Sequence, residues 1–189
     1  MTNNNALLDA LQIQPVVAAA KDAAGLLCAL KSECEVVFVL YGKVADISEI
    51  TGKIKAAGKL AMIHLDLVEG LSAREAAVDF IVEYTKADGI ISTKPGLIKY
   101  AKAKGLLTVQ RFFVLDSLSL TNINKQLLSA ADAVEILPGV MPKIIKGLCA
   151  SIEKPIIAGG LITDKEDVMN ALSAGAVAVS STNSAVWIC

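Results

Sequence analysis

The sequence predicts an α/β protein, a compact single-domain TIM-like (β/α) barrel with parallel strands over residues 1–189. Three observations lead to this prediction. Apolar runs of strand length recur about every 18 to 29 residues. Segments with helical periodicity separate them, and the runs are apolar at consecutive positions, as strands covered on both faces must be. A doubly wound open sheet is the alternative, and it also binds ligands at the carboxyl ends of its strands.

Eight apolar runs are the predicted strands. They cover residues 16–19, 36–40, 60–66, 89–92, 107–112, 133–137, 156–158 and 176–180. Residues 1–14 form an N-terminal cap segment, in which the asparagines at 3–5 would cap a short helix over 6–11 that closes one end of the sheet. Because no linker or low-complexity stretch interrupts the alternation, we expect one domain.

Several helix ends are marked by residues with a boundary preference. Three pairs have the spacing of a capping box: Thr163 with Glu166, Asp46 with Glu49, and Ser72 with Glu75. Four residues suit the first helical position or the position just after a helix: Pro142, Gly58, Gly105 and Gly175. The runs between these boundaries are short, which predicts short helices and tight loops.

Composition and charge exclude several functional classes. The chain has 18 basic and 19 acidic residues and a net charge of -1, so no global field attracts nucleic acid or membrane. No apolar run approaches the roughly 20 residues that span a bilayer. The amino terminus has no basic residue before its apolar part, which argues against a signal peptide. We therefore expect a cytoplasmic protein; its oligomeric state stays open, a homo-oligomer included.

The cysteines and the single histidine argue against a metal centre. Cys28, Cys34, Cys149 and Cys189 show neither C-x-x-C nor zinc-ligand spacing. We interpret them as small buried residues in a reducing compartment, except that Cys189, the last residue, should be exposed. No metal and no cofactor are predicted.

Two loops near the carboxyl terminus have the features of a phosphate site. Gly159-Gly160 follows the seventh run and precedes a helix, and Ser180-Ser181-Thr182 ends the eighth run with hydroxyl donors. In (β/α)8 barrels, the loops after strands seven and eight commonly bind phosphate. Glycines let the backbone approach the anion, and a helix N-terminus offers free amides. A turn without a ligand is the alternative interpretation of these glycines.

Polar residues gather where the predicted strands end, and in a barrel that end carries the functional site. The third run ends His64-Leu65-Asp66, and a period of two places His64 and Asp66 on one face, towards the mouth. Glu69 follows in the next loop, and Lys94 follows the fourth run. We predict that these residues bind ligand; for His64 alone, the alternative is an ordinary core histidine.

Two further runs carry charged residues. Gln110 and Arg111 are adjacent in the fifth run, so a regular strand directs only one of them to the axis, and the sequence leaves open which. Glu135 lies among apolar residues of the sixth run and needs a cationic partner, for which Arg111 or Lys94 is available. Lys94 and Arg111 suit a phosphate. Glu135 and Asp116, like Asp66, suit ligand hydroxyls.

A basic segment runs from residue 86 to residue 111. Lys94, Lys99, Lys102 and Lys104 lie within it and are candidates for contact with RNA. A solvated helix face is the alternative interpretation. Aromatic residues are only 4% of the chain, which argues against a dedicated module for single-stranded RNA.

Five segments, in order, make the sequence recognisable. They are HLDLVEGLS (64–72), DGIISTK (88–94), QRFF (110–113), EILPG (135–139) and IAGGLI (157–162). Across nearly the whole chain the sequence resembles the glycerol-3-phosphate-responsive antiterminators of glycerol uptake operons. The resemblance implies a βα barrel that senses glycerol 3-phosphate. When loaded, it would bind leader mRNA so that transcription passes a terminator.

The resemblance also implies a set of site residues. The positions that fall on the family's motifs are His64, Asp66, Glu69, Lys94, Arg111, Glu135, Gly159 and Gly160, with Ser180, Ser181 and Thr182 completing the phosphate end. Such a sensor is not an enzyme.

Two enzymatic functions are the alternatives. A phosphosugar isomerase or aldolase-like enzyme would use His64 or Asp66 as general base and Lys94 for an imine. A metal-dependent phosphodiesterase would need His64, Asp66 and Glu135 as ligands, a poor set for a cation.

Overall fold

Eight parallel strands close into a barrel in a computed structural model that describes residues 6–188. Each strand pairs with its neighbours in sequence, and the eighth pairs with the first. The strands are β1 (Val16–Ala20), β2 (Val36–Val39), β3 (Leu60–His64), β4 (Gly89–Ser92), β5 (Leu107–Phe113), β6 (Ala133–Leu137), β7 (Ile156–Gly159) and β8 (Ala178–Ser181). The closed sheet confirms the predicted fold class and excludes the open sheet.

One helix precedes the first strand, and a helix follows each of the first seven strands on the outside of the barrel. The helices are α1 (Ala6–Ile13), α2 (Ala23–Lys31), α3 (Ile47–Ala56), α4 (Glu75–Tyr84), α5 (Pro95–Ala103), α6 (Ser117–Gln126), α7 (Pro142–Ser151) and α8 (Lys165–Ser173). Two short 3₁₀ segments, Leu65–Leu67 and Ser184–Ile188, follow β3 and β8. Within residues 6–188, none of the helices has the length and apolar character needed to cross a membrane.

The core has an inner and an outer part because strand residues alternate between the two faces of the sheet. The inner cluster joins side chains of the strands, among them Phe38 and Met62, with Leu7 and Leu11 of α1. The outer cluster lies between the sheet and the helices. α1 thus packs against the inside of the barrel, in agreement with a helix that closes one end, while residues 3–5 lie outside the described residues.

The predicted capping boxes are wrong in detail. Asp164, not Thr163, caps α8 and accepts from the Asp167 amide at 2.9 Å, while Asp167 accepts from the amide and hydroxyl of Thr163. A carboxylate at either position can satisfy free amides, so spacing alone did not distinguish them. At α3, Asp46 occupies the cap position without a side-chain bond, and α4 begins after Arg74 rather than Ser72.

Other local predictions are confirmed. Pro142 opens α7. Gly58, Gly105 and Gly175 follow helices with φ of +78°, +85° and +106°, which only glycine adopts without strain. Among the cysteines, Cys34 is buried, but Cys28 is exposed on α2, so its predicted burial is wrong. Cys189 lies outside the described residues.

Candidate functional site

Four polar residues form one layer at the carboxyl end of the barrel interior. Met62, Val109, Ala133 and Ala178 belong to the inner cluster. Each is followed two positions later by a member of the layer, which consists of His64, Arg111, Glu135 and Ser180. Because side chains alternate along a strand, these four also face the barrel axis. We call this set the mouth layer.

A buried chain of hydrogen bonds joins three members of the mouth layer. Arg111 Nε donates to Glu135 Oε2 at 2.6 Å, and Ser180 Oγ donates to Glu135 Oε1 at 2.6 Å. Glu135 is 0% exposed, so both bonds are shielded from water. The structure identifies Arg111, rather than Lys94, as the cation that Glu135 needs.

The side chain of Gln110 lies on the other face of β5. Its Nε2 donates to the carbonyl of Gln126, and its Oε1 accepts from the amide of Leu128. The question that the sequence left open is therefore answered: Arg111 faces the axis and Gln110 faces the following loop.

Gly159 makes room for this chain of bonds. A Cβ on Gly159 would lie 2.5 Å from Glu135 Oε1 and 2.6 Å from Ser180 Oγ. A glycine is therefore required at position 159 because the side chains of Glu135 and Ser180 approach its Cα closely. Gly160 follows with φ of +75°, a conformation that favours glycine, and it lines the cavity described next.

A cavity of about 340 Å³ opens above the mouth layer. Its lining comprises Arg111, Glu135 and Ser180, the two loops at 160–163 and 181–183, and the apolar Ala19, Leu40 and Leu137. This volume is within the range of small-molecule sites. The cavity brings together five of the predicted residues besides Glu135: Arg111, Gly160, Ser180, Ser181 and Thr182.

The two loops that border the cavity are tied to each other. Ser181 Oγ donates to the carbonyl of Ile162 at 2.7 Å, and Asn183 Nδ2 donates to the carbonyl of Thr163 at 2.8 Å. The amides of Leu161 and Thr182, by contrast, donate to no atom within residues 6–188. Leu161 also has a φ of 61°, which is unusual for a residue with a side chain. The two loops are thus tied together, while these two amides have no partner within residues 6–188.

The bridging role of Asn183 was not predicted. The residue belongs to the hydroxyl-rich run 180–184, but only the folded loops show that its amide reaches Thr163. The only hint in the sequence is the residue type, because the side-chain amide of asparagine can both donate and accept hydrogen bonds.

His64 lies in the mouth layer as a neutral side chain. It is buried, and its Nδ1 has no hydrogen-bond partner within residues 6–188. Burial, and then the positive charge of Arg111, lower the pKa of His64 to about 4, although Asp66 opposes the shift. The imidazole therefore carries no charge near neutral pH. It does not line the 340 Å³ cavity.

Asp66 organises the end of β4. Its carboxylate accepts from the hydroxyl of Ser92 and from the amide and hydroxyl of Thr93, at 2.8 to 2.9 Å. Burial acts to raise the pKa of Asp66, but these hydrogen bonds outweigh it and lower the pKa. The prediction that Asp66 shares a strand face with His64 is wrong, because β3 ends at His64 and Asp66 lies on the 3₁₀ turn.

Three other candidates lie away from the 340 Å³ cavity. Glu69 is exposed and lines a separate cavity of about 510 Å³ with Lys43 and Tyr41. Lys94 is exposed at the cap of α5. Asp116 caps α6, where Ser119 donates its amide to the carboxylate at 2.7 Å. Ligand contact by Glu69 and Lys94 stays a prediction.

The lysines of the basic segment differ in their partners. Lys102 forms an ion pair with Asp132 at 2.6 Å, and Lys104 forms one with Asp79 at 2.7 Å. Lys99 is exposed on α5. Because α5 starts at the carboxyl end of β4, Lys94 lies near the mouth and Lys104 near the opposite end of the barrel. RNA contact by these lysines stays a prediction.

Within residues 6–188, no three His, Cys, Asp or Glu side chains are grouped as a metal site requires. The residues that line the cavity carry one guanidinium, one carboxylate, several hydroxyls and the side-chain amide of Asn183. The fold is a (β/α)8 barrel, and the cavity lies between the loops that follow its last two strands, where such barrels commonly bind phosphate.

Comparison with known proteins identifies the family. The family model for the glycerol-3-phosphate responsive antiterminators matches residues 16–187, and the chain belongs to this family. The resemblance seen in the five sequence segments is thereby confirmed.

Relatives agree with this assignment. The chain is 50% identical over 182 residues to the uncharacterized protein YgcP of Escherichia coli (strain K12), covering 96% of this chain and 95% of that protein. A glycerol uptake operon antiterminator regulatory protein from Listeria monocytogenes superposes with a TM-score of 0.86 at 32% identity, over 92% of this chain and 95% of the other.

A glycerol uptake operon antiterminator-related protein from Thermotoga maritima superposes with a TM-score of 0.80 at 30% identity, over 91% of this chain and 96% of the other. Enzymes with similar barrels are more distant. An aldolase reaches a TM-score of 0.72 at 13% identity, and this similarity shows the fold alone.

Proposed function

We propose that this protein binds glycerol 3-phosphate in the 340 Å³ cavity. In the bound state it binds the leader mRNA of glycerol uptake operons, so that transcription passes a terminator. The observation that carries the proposal is the cavity, which joins Arg111 and two unpartnered loop amides at the strand ends where barrels bind phosphates. We place this function in the cytoplasm, without an enzymatic step and without a cofactor.

The lining of the cavity offers two kinds of polar group. Arg111 and the amides of Leu161 and Thr182 suit the phosphate, since a guanidinium and free N–H groups are all donors. Glu135 and Ser180 suit the glycerol hydroxyls, because a carboxylate and a hydroxyl accept hydrogen bonds from alcohols. A three-carbon phosphate ester supplies both kinds of partner in one molecule.

Thermal unfolding with and without glycerol 3-phosphate tests the ligand. A ligand that binds only the folded state raises the midpoint, by an amount equivalent to about 2.7 kcal/mol at a concentration one hundred times its Kd. We expect a rise with the ester and a smaller or no rise with glycerol or inorganic phosphate at equal concentration. No rise at millimolar ester would contradict the proposal.

A negative charge introduced at Thr182 tests whether glycerol 3-phosphate binds in this cavity. Thr182 lines the cavity and is exposed, so Thr182→Glu should fold normally while repelling the phosphate. The matched control is Thr121→Glu, an exposed threonine of α6 outside the cavity. We expect the ligand-induced rise to disappear in Thr182→Glu and to persist in Thr121→Glu. Equal shifts in both variants would place the ligand elsewhere.

Transcription through a terminator tests the output. A template with a glycerol operon leader is transcribed in the presence of the protein, with and without glycerol 3-phosphate. We expect read-through that depends on the ester and is lost with Thr182→Glu. Gel filtration with light scattering, with and without ester, determines whether the active species is a homo-oligomer. Read-through unaffected by the protein would contradict the regulatory function.

A phosphosugar isomerase or aldolase-like enzyme is the second candidate, and one observation favours it. His64 is neutral, with an unpartnered nitrogen in the mouth layer, and a neutral imidazole can accept a proton. Assays with triose and pentose phosphates test this candidate. Turnover that disappears in His64→Ala would displace the regulator, whereas absence of turnover leaves the proposed function in place.

A further inference from the structure

Beside its packed face, α6 presents polar side chains to a cavity. The helix packs on the barrel through Leu120 and Ile123, and Leu127 at its end joins the same core cluster. A stripe at spacings of i, i+3, i+4 and i+7 lines the cavity and consists of Ser119, Asn122, Ile123 and Gln126. Ser119 is used in the helix cap, where its Oγ accepts from the amide of Asp116. The side chains of Asn122 and Gln126 therefore remain for another partner.

A cavity of about 270 Å³ separates this stripe from the ends of β4 and β5. Its opposite wall consists of Thr93, Arg111, Phe112 and Phe113. The side-chain amides of Asn122 and Gln126 have no hydrogen-bond partner within residues 6–188. Two amides that face a cavity without a partner are available to a ligand with both donors and acceptors.

Phe113 gives this cavity an aromatic edge. This residue is 50% exposed at the end of β5, whereas Phe38 is fully buried in the barrel. An accessible ring beside unpartnered amides is the combination that binds an unstacked nucleobase. The base stacks on the ring, and its edge forms hydrogen bonds with the amides.

Two exposed lysines are neighbours in sequence of residues that line the cavity. Lys94 follows Thr93 of the wall, and Lys125 precedes Gln126 of the stripe; both lysines are exposed. Asp116 is the acidic residue at the start of α6, and its carboxylate accepts a hydrogen bond from the amide of Ser119 in the helix cap. Exposed lysines beside a base pocket suit the phosphates of a polynucleotide chain.

We propose that the cavity under α6 is a nucleobase-binding pocket for single-stranded RNA, formed by Phe113, Asn122 and Gln126. This inference rests on the proposed function and adds the place where RNA is read. A free nucleotide has the same chemistry as a base of RNA, so the experiment must separate the two sources.

Arg111 connects this pocket with the glycerol 3-phosphate cavity. The residue lines both cavities, and its Nε donates to Glu135. A phosphate that binds the remaining guanidinium N–H groups would act on a residue in the wall of the nucleobase pocket. Ligand and RNA would therefore share one residue, which would couple their affinities reciprocally.

The test measures fluorescence anisotropy with labelled oligomers of A, C or U of about 12 nucleotides, with saturating glycerol 3-phosphate. In Phe113→Leu the pocket loses its ring but keeps an apolar side chain. We expect its affinity to fall about tenfold or more, since stacking contributes that much for each base. The control Tyr84→Leu removes an aromatic that is 62% exposed on α4 and should bind like the wild type.

Two further variants test the reading of the base edge. Asn122→Ala and Gln126→Ala should change the order of preference among the oligomers, because they remove donors and acceptors but not the ring. All variants must show the wild-type thermal shift with glycerol 3-phosphate, which proves that the fold and the first cavity are intact.

Three outcomes would overturn the pocket. In the first, Phe113→Leu binds every oligomer like the wild type and still supports ligand-dependent read-through. This result would refute the nucleobase pocket but leave the antiterminator function in place. In the second, the wild type binds no oligomer while glycerol 3-phosphate still raises its melting temperature. This result would refute the pocket and support only the binding of glycerol 3-phosphate. Mononucleotides that compete as strongly as the oligomers assign the cavity to a free nucleotide instead of RNA.

Discussion

Replacing Glu135 by glutamine tests the buried chain of hydrogen bonds in the mouth layer. Glutamine has nearly the same shape, but it removes the charge that neutralises Arg111. The bonds to Arg111 Nε and Ser180 Oγ are both 2.6 Å long and shielded from water. Removing one partner of a buried ion pair lowers the free energy of unfolding by about 3–5 kcal/mol, because the other charge stays buried without compensation.

The stability of Glu135→Gln is measured by urea unfolding at neutral pH. We expect a lower midpoint with an unchanged slope, because the surface exposed on unfolding is the same. A loss of about 3–5 kcal/mol also lowers the Tm by roughly 6–20 °C for a chain of this size. The control is Glu49→Gln, which breaks an exposed pair with Lys53 on α3 and should leave the midpoint unchanged.

A double variant distinguishes the energetic effect of the unpaired charge from the effect of altered side-chain shape. Glu135→Gln combined with Arg111→Met removes both charges, so it should be more stable than Glu135→Gln alone. If Glu135→Gln unfolds at the wild-type urea midpoint, the pair contributes nothing to stability and the reasoning fails. If the double variant loses the sum of both single losses, the two residues are not coupled.

Three further predictions concern single positions. Gly159→Ala should lose about 1–3 kcal/mol in urea unfolding, because its Cβ would meet Glu135 Oε1 at 2.5 Å; Gly52→Ala, on α3 with free space around it, should instead gain up to about 1 kcal/mol. Leu161→Gly should not lower the Tm, since glycine relieves the φ of 61° and this leucine is exposed; a large decrease would show that its side chain packs in solution. For His64, the folded pKa of about 4 lies below the ordinary 6.5, so the unfolded chain binds more protons between these values. The stability that the neutral imidazole provides is present above pH 6.5 and falls by up to about 3 kcal/mol as the pH decreases towards 4. Urea unfolding at several pH values should show this loss in the wild type and a smaller loss in His64→Gln; parallel curves would refute the assignment.

The barrel could be predicted from the sequence because its signals are local. Apolar runs covered on both faces and helix-period segments between them repeat along the chain, and a parallel sheet is the arrangement that buries all of them. The glycines after α3, α5 and α8 needed no tertiary information either, since a positive φ favours glycine in any fold. The partnership of Glu135 with a cation followed from the cost of burying a lone carboxylate.

The site could be predicted only in part. Arg111, Gly160, Ser180, Ser181 and Thr182 were expected near a phosphate and do line one cavity with Glu135. The chain order of a barrel explains this success, because the loops after β7 and β8 must lie side by side at the mouth.

Other parts of the site depend on where the chain turns. Strand alternation placed Asp66 beside His64, but the 3₁₀ turn after β3 directs its carboxylate to Ser92 and Thr93 instead. Glu69, one turn further, lines a different cavity. A period of two holds only while the strand continues, and the residue at which it stops is decided by packing rather than by local preference.

By itself, the sequence determined the alternation of strands and helices and the family, and it indicated which residues could bind a phosphate. The tertiary structure alone decided which charges remain available and which pair within the molecule. Lys102 and Lys104 look alike in sequence to Lys99, yet they meet Asp132 and Asp79 from other segments. The physical reason is range: strand and helix periods arise from neighbouring residues, whereas ion pairs, unpartnered amides and cavities arise between segments that only the closed barrel brings together.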